Sequence, residues 1–159
     1  MCGIPGSGKS TWCSKAAKKP GAIRVSRDVI RFNMLEDDED YFAHEFDVFR
    51  EFIKQINEGL ADEKVEDIFV DATHLNEKSR NKVLDRLINL DGVAINAVNF
   101  LIDFDFAWER NNLREGLAVV PYGTLCGMNK IFNPAKEDEK YHYDNIININ
   151  VTKDGDEIV

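Results

Sequence analysis

No stretch of this chain approaches the roughly 20 consecutive apolar residues that a membrane helix requires, and no secretory leader opens it. The longest apolar run, Val93 to Phe104, is interrupted by Asn96, Asn99 and Asp103, which makes it a buried strand instead. Cysteine is scarce, with three residues at 2, 13 and 126 and no CxxC pair. That excludes a disulfide framework and a thiolate metal site, and implies reduced thiols in a cytoplasm. The three histidines, at 44, 74 and 142, are scattered and form no ligand cluster. Positive charge is also short: 20 Lys and Arg against 29 Asp and Glu give a net charge of −9. A broad nonspecific nucleic-acid surface, which needs many cations, is therefore excluded.

The distribution of charge is more informative than its sum. Residues 1–35 carry seven basic residues and one acid (+6), and residues 36–71 carry three and fourteen (−11). Residues 72–114 carry six of each, and residues 115–159 carry four basic and eight acidic (−4). A polyanion could dock only over a short length near the N-terminus.

That same region reads G-I-P-G-S-G-K-S from Gly3 to Ser10, followed by Thr11. Gly3, Pro5, Gly6, Ser7 and Gly8 form a loop whose glycines let successive backbone N–H groups converge on phosphate oxygens. Lys9 can reach the β- and γ-phosphates and the Ser10 hydroxyl can hold Mg²⁺. The helix expected over about Ser10 to Lys19 adds its positive dipole end. The pattern predicts nucleoside triphosphate binding. Such a loop normally follows a buried strand, yet only Met1 and Cys2 precede Gly3, so the first strand of the sheet is expected to be missing from this chain.

With 43% hydrophobic residues in 159, the chain suits one domain with a real core. Beyond the Pro20-Gly21 break, the pattern predicts a strand over Ala22–Ser26 and a helix from Asp28 to about Leu35. Glu36–Asp40 reads as a solvated linker. A helix follows over Phe42–Leu60, whose stripe of Phe42, Phe46, Phe49, Ile53 and Ile56 is expected to face the core. The strand at Ile68 to Val70 delivers Asp71 at its end. A helix over Asn76–Leu90, a strand over Val93–Phe104 and a helix from Phe106 to about Glu115 come next. After the Gly116–Pro121 break, a last strand over Ile146–Val151 precedes a polar tail, and residues 106–132 are expected to act as a helical lid. Alternating strands and helices predict an α/β fold, a parallel sheet with helices on both faces. Ligands in such sheets sit beyond the C-terminal strand ends.

Phosphoryl transfer needs a metal, cations around the moving group and a carboxylate for the acceptor hydroxyl. Asp28 and Arg31, three residues apart, share a helix face and suit a proton acceptor beside an anion grip; equally, Asp28 could cap the helix with Arg31 on its surface. Asp71 is a Walker-B-like candidate that could hold Mg²⁺ through water. Thr73, His74 and Asn76 could contact an acceptor or cap the next helix. Arg110 and Arg114 are either two cations on a closing lid or a solvated pair. Asp103-Phe104-Asp105 begins like an aspartyl-phosphate motif, but Ala107 stands where that motif needs Thr, which excludes it.

In order, Gly3 to Trp12, Arg27-Asp28 with Arg31, Asp71 to Asn76, Arg110-Asn111 with Arg114, and Val120-Pro121 resemble the kinase domain of bacteriophage polynucleotide kinase. The resemblance spans about residues 3–151. It implies a P-loop kinase fold and an ATP- and Mg²⁺-dependent phosphotransferase of nucleic-acid repair, acting on 5′-hydroxyl ends of DNA or RNA in a host cytoplasm. It implies Asp28 as general base and Arg31 on the acceptor's neighbouring phosphate. Lys9, Ser10 and Arg114 would serve the donor phosphates and transition state with Arg110 in support, Thr73 and Asn76 would touch the acceptor, and Ser10 and Asp71 would hold the metal. The segment Asp71-Ala72-Thr73 aligns with the family's Asp in more than one register, and the accompanying phosphatase domain is absent, so 3′-phosphate removal is not expected. The alternatives are a small-molecule or nucleotide-sugar kinase of zeta-toxin type, and an ATP-binding module without transfer activity.

Overall fold

A computed structural model describes residues 1–158. They form two compact units, one of Ser10–Ala72 with Arg86–Asp91 and one of Met1–Lys9, Thr73–Asp85 and Gly92–Val159. The helix α1 (Lys9–Ala16) starts on the last residue of the second unit's first segment. It is shorter than the sequence predicts, because a turn ahead of Pro20 and Gly21 ends it.

In the first unit, strand β1 (Ala22–Ser26) pairs in parallel with β2 (Asp67–Asp71). Ala22 lies opposite Asp67 and Ser26 opposite Asp71, so both strands finish side by side. Helix α2 (Arg27–Met34) leaves β1 directly. Ser26 caps it by accepting a hydrogen bond from Val29 N at 3.4 Å, which frees Asp28 from the capping role.

The long helix α3 (Glu45–Ala61) lies on α2 and on both strands. Its buried face is Val48, Phe52, Ile56 and Gly59, so of the predicted stripe Ile56 faces inward while Phe42 and Phe46 are exposed. Phe42 precedes the helix and is 57% exposed, and Phe46 is 76% exposed with Arg50 over its ring at 5.8 Å. The reason lies at Gly59. A Cβ there would sit 2.6 Å from Ile23 Cδ1 and 3.0 Å from Ile68 Cδ1. The sheet is approached so closely that only the face carrying a glycine can turn inward, and Val48, Phe52 and Ile56 follow at helical spacing. Burying each of those three stabilises the unit by about 1.5–3 kcal/mol.

In the second unit, β3 (Asn96–Ile102) pairs in parallel with β4 (Asn145–Thr152). On its other side Cys2 forms a parallel bridge to Asn99, with Cys2 N donating to Val98 O and Phe100 N to Cys2 O, each at 2.8 Å. Asn99 itself is buried, and its amide satisfies both backbone groups of Ala135: Nδ2 donates to the carbonyl at 3.1 Å and Oδ1 accepts from N at 2.9 Å. The tail is not irregular. Residues Gly155–Ile158 form β5, antiparallel to β4 after a tight Lys153-Asp154 turn.

Helix α4 (Glu77–Leu84) ends well short of the expected Leu90. Helix α5 (Phe104–Asn111) is capped by Asp103, which accepts from Asp105 N and Phe106 N. A short 3-10 turn (Gly116–Ala118) leads to α6 (Tyr122–Ile131). Ile4, Leu75, Ala107 and Leu125 form a buried cluster in this unit, with Trp108, Val120 and Phe132 against it. A second cluster joins Cys2, Ala97, Ala135 and Tyr143. Among the described residues no helix is long and apolar enough to cross a membrane.

Candidate active site

The phosphate loop is built as its glycines require. Gly6 takes φ +86°, and a Cβ on it would fall 2.4 Å from the carbonyl oxygen of Ala107 in α5. Both constraints select glycine. A Cβ on Gly8 would lie 3.2 Å from Nη2 of Arg110, so that guanidinium rests over the loop, with its carbon 5.6 Å from the Phe106 ring. Lys9 is buried, and its ammonium donates to Ile4 O at 2.8 Å and Ser7 Oγ at 3.1 Å. Pro5 and Ser7 are buried and Thr11 is exposed.

Arg114 lies elsewhere than expected. Helix α5 ends at Asn111, so Arg110 and Arg114 do not share a helix face, and Arg114 Nη1 donates to Ala118 O at 3.0 Å. What fixes this segment is Asn111, which is fully buried. Its Nδ2 donates to Val120 O at 2.8 Å and its Oδ1 accepts from Val120 N at 3.0 Å. The side-chain amide pairs with the backbone as a neighbouring strand would, a role the R-N-x-x-R spacing does not reveal.

In the other unit, Ser10 Oγ donates to Asp71 Oδ1 at 3.2 Å. Arg24 holds the second carboxylate oxygen, with Nε at 3.0 Å and Nη2 at 2.5 Å. A hydroxyl and one carboxylate oxygen are the protein donor set that Mg²⁺ accepts while keeping several waters, so these residues fit that ion. Arg24 is a partner that the motif analysis passed over. It alternates with Ile23 and Val25 in β1 and lies opposite Phe69, two residues before Asp71, a register that only the folded strands reveal.

Asp28 and Arg31 meet as their spacing predicts, Nη1 to Oδ1 at 2.9 Å. Asp28 is 55% exposed while the Arg31 side chain is only 6% exposed. Arg31 Nη1 also donates to the Tyr41 hydroxyl at 3.0 Å, and Nη2 donates to Glu45 Oε2 at 2.5 Å. The other oxygen of Glu45 accepts from Arg27 Nη2. Tyr41 Oη donates to Asp28 Oδ1 at 2.9 Å. Burial and the Asp28 charge, opposed by Arg31, push the Tyr41 phenol up to about 12, so it remains a donor at neutral pH. Neither Glu45 nor Tyr41 is marked in the sequence as a partner, since Tyr41 falls just past the predicted linker Glu36–Asp40 and Glu45 falls inside the predicted helix Phe42–Leu60, with no spacing that pairs either with Arg31.

Two expected acceptor contacts have backbone-directed roles. Asn76 forms a capping box at α4, accepting from Ser79 N at 3.0 Å while its own N donates to Ser79 Oγ at 3.1 Å. The carbonyl of Thr73 accepts from Gly3 N at 2.9 Å. The Nδ1 of His74 lies 2.8 Å from Met1 O. Behind this segment, Arg80 and Glu139 form a salt bridge with side chains 4% and 5% exposed. Arg80 also donates to the carbonyls of His74 at 3.1 Å and Asn133 at 2.9 Å, and Tyr143 donates to Glu139 at 3.0 Å. Burial would raise the Glu139 carboxyl, but Arg80, Tyr143 and the Lys136 amide outweigh it and hold the group below its ordinary value.

A glycine-built phosphate loop at the start of a helix on an α/β scaffold defines the P-loop NTPase fold. The model of a family described as "AAA domain" matches residues 1–131, and the chain belongs to that family. No curated protein matches it. Among solved structures, a sugar kinase from Janibacter sp. HTCC2649 superposes with a TM-score of 0.63 at 16% identity, covering 94% of this chain and 82% of that one. A gluconokinase from Sinorhizobium meliloti 1021 gives 0.52 at 19% identity, covering 96% and 81%. A fungal RNA kinase gives 0.60 at 15% identity, covering 96% and 74%. At these identities the likeness is one of fold.

Proposed function

We propose that this protein is an ATP-dependent polynucleotide kinase that phosphorylates 5′-hydroxyl ends of DNA or RNA. The observation that carries the proposal is the Asp28–Arg31 pair on the helix leaving β1, an exposed carboxylate braced by a buried guanidinium at 2.9 Å. In a transfer cycle, Asp28 accepts the proton of the acceptor hydroxyl as its oxygen attacks the γ-phosphorus. The bond to the β–γ bridging oxygen breaks and ADP leaves. Lys9 exchanges its contacts with Ile4 and Ser7 for phosphate oxygens. Arg110, and Arg114 if it releases Ala118, add positive charge where the transition state is most anionic. Mg²⁺, held by Ser10 and through water by Asp71, would neutralise charge on the β- and γ-oxygens. Thr73 and Asn76 keep an acceptor-facing role only through atoms outside the backbone pairing and the helix cap.

A second proposal, a small-molecule kinase, is favoured by the balance of −11 over residues 36–71, which surrounds Tyr41 and Glu45 with acids. Labelled ATP distinguishes the two. Oligonucleotides with 5′-hydroxyl ends should take the phosphate, whereas free sugars and nucleotide sugars should not; the reverse outcome would replace the first proposal with the second. Asp28→Asn should abolish transfer while leaving ATP affinity within about twofold. If that variant turns over normally, Asp28 is not the base.

A further inference from the structure

We propose that Tyr41 is a positioning residue for Asp28, its hydroxyl fixing one carboxylate oxygen so that the other is presented to the acceptor hydroxyl. The inference rests on Asp28 being the general base and extends it to a residue on a different segment. Three groups close a triangle: Tyr41 Oη donates to Asp28 Oδ1 at 2.9 Å, and Arg31 Nη1 donates to that same oxygen at 2.9 Å and to Tyr41 Oη at 3.0 Å. Both donors converge on Oδ1, and no hydrogen bond joins Oδ2 to either of them.

The triangle is anchored in depth. Arg31 is buried, its second terminal nitrogen bonds Glu45 on α3, and Arg27 holds Glu45 from the other side. The guanidinium carbon stacks 4.3 Å from the Tyr41 ring. Phe32 and Phe42 meet that ring edge-on, with centroids 6.2 Å and 4.9 Å away. An exposed aspartate on its own would sample its rotamers freely. Here a residue on the connector between α2 and α3 removes that freedom. The charged group facing Asp28 is Arg31 from its own helix, and Tyr41 faces it from the connector as a neutral phenol, with Glu45 of α3 acting through Arg31. His44, on the same connector, pairs with Glu39 at 2.9 Å and stands outside the triangle.

The test compares Tyr41→Phe, Tyr41→Ala and Asp28→Asn as single variants in the oligonucleotide transfer assay. Tyr41→Phe keeps the ring, its edge contacts and the cation–π stack, and loses only the hydroxyl. It should lower kcat roughly tenfold, nearly as much as Tyr41→Ala, with KM for ATP and for acceptor within about twofold. A wild-type kcat in Tyr41→Phe, or a loss confined to Tyr41→Ala, would reduce Tyr41 to a packing residue and overturn the proposal while leaving Asp28 as base. Normal turnover in Asp28→Asn would instead sink the underlying assignment. A measurement that leaves Tyr41 in place guards against misfolded variants. In Asp28→Asn one phenol should titrate at lower pH than in the wild type, by phenolate absorbance, and an unchanged titration would also overturn the proposal.

Discussion

Replacing Gly6 by alanine tests whether the phosphate loop and the first turn of α5 share one rigid geometry. The added Cβ would stand 2.4 Å from the carbonyl oxygen of Ala107 and 3.1 Å from its carbonyl carbon. An ordinary carbon–oxygen contact needs about 3.3 Å, so roughly 1 Å of movement is required. Helix α5 resists it, since Ala107 is fully buried against Ile4, Leu75 and Leu125. The loop must therefore yield, and its N–H groups leave their phosphate positions. Backbone strain at φ +86° adds about 1–2 kcal/mol and overpacking about 1–3 kcal/mol, for a stability loss of about 2–5 kcal/mol. A misplacement of about 1 Å among positioning groups costs on the order of 100-fold. Calorimetric titration with a non-hydrolysable ATP analogue and Mg²⁺ should show that loss in affinity, and a thermal melt the loss in stability. Gly127→Ala on α6, whose Cβ would meet nothing within 4 Å, serves as the control and should gain up to about 1 kcal/mol from helix propensity. An unchanged dissociation constant in Gly6→Ala would refute the rigid coupling.

Arg110→Ala should lower kcat/KM for ATP by about 100-fold at unchanged stability, because the guanidinium lies over Gly8 and supports no buried contact of the core; steady-state kinetics beside a melt would check both. Glu139→Gln should cost about 2–4 kcal/mol at neutral pH by leaving Arg80 buried without its carboxylate. Because the folded-state value of Glu139 is lowered, its contribution is full above the ordinary glutamate range and disappears as pH falls through the lowered value. The gap between wild type and Glu139→Gln should therefore be widest at neutral pH and narrow as the pH falls below the ordinary glutamate range, as denaturant melts at several pH values would show.

What could be read in advance divides along physical lines. The phosphate loop, β1 and the Asp28–Arg31 pairing follow from local rules: glycine conformations, a short stretch with Ala22, Ile23 and Val25 behind a Pro-Gly break, a spacing of three on a helix. The face of α3 does not. Periodicity finds an apolar stripe, but Gly59, with no side chain to register as hydrophobic, decides which stripe meets the sheet. Arg80 with Glu139 and Arg24 with Asp71 pair across 59 and 47 positions, where nothing local marks the partner. The β5 hairpin was legible in Asp154-Gly155, a strong turn signal; the acids around it hid a strand whose four residues are all exposed.

The charged groups of the candidate site also share a property that bears on affinity. Lys9 rests on Ile4 and Ser7, Asp71 on Arg24 and Ser10, Arg114 on Ala118, and Arg31 on Asp28 and Glu45. Each already has a partner within the protein, so a phosphate or metal gains only the difference between its own bond and the one displaced. Net gains of about 0.5–1.5 kcal/mol per exchanged hydrogen bond, rather than the full strength of a charge-assisted contact, are then the appropriate measure. Arg31 is the extreme case. It is buried, and any acceptor phosphate must compete with Glu45, a carboxylate already within hydrogen-bond distance of Nη2 and braced by Arg27. A phosphate that displaced Glu45 would leave that side chain's charge beside its own, so binding there is opposed by repulsion as well as by the lost ion pair. Arg31 is thus better placed to orient Asp28 than to grip a ligand, and discrimination between acceptors falls to groups with less to give up.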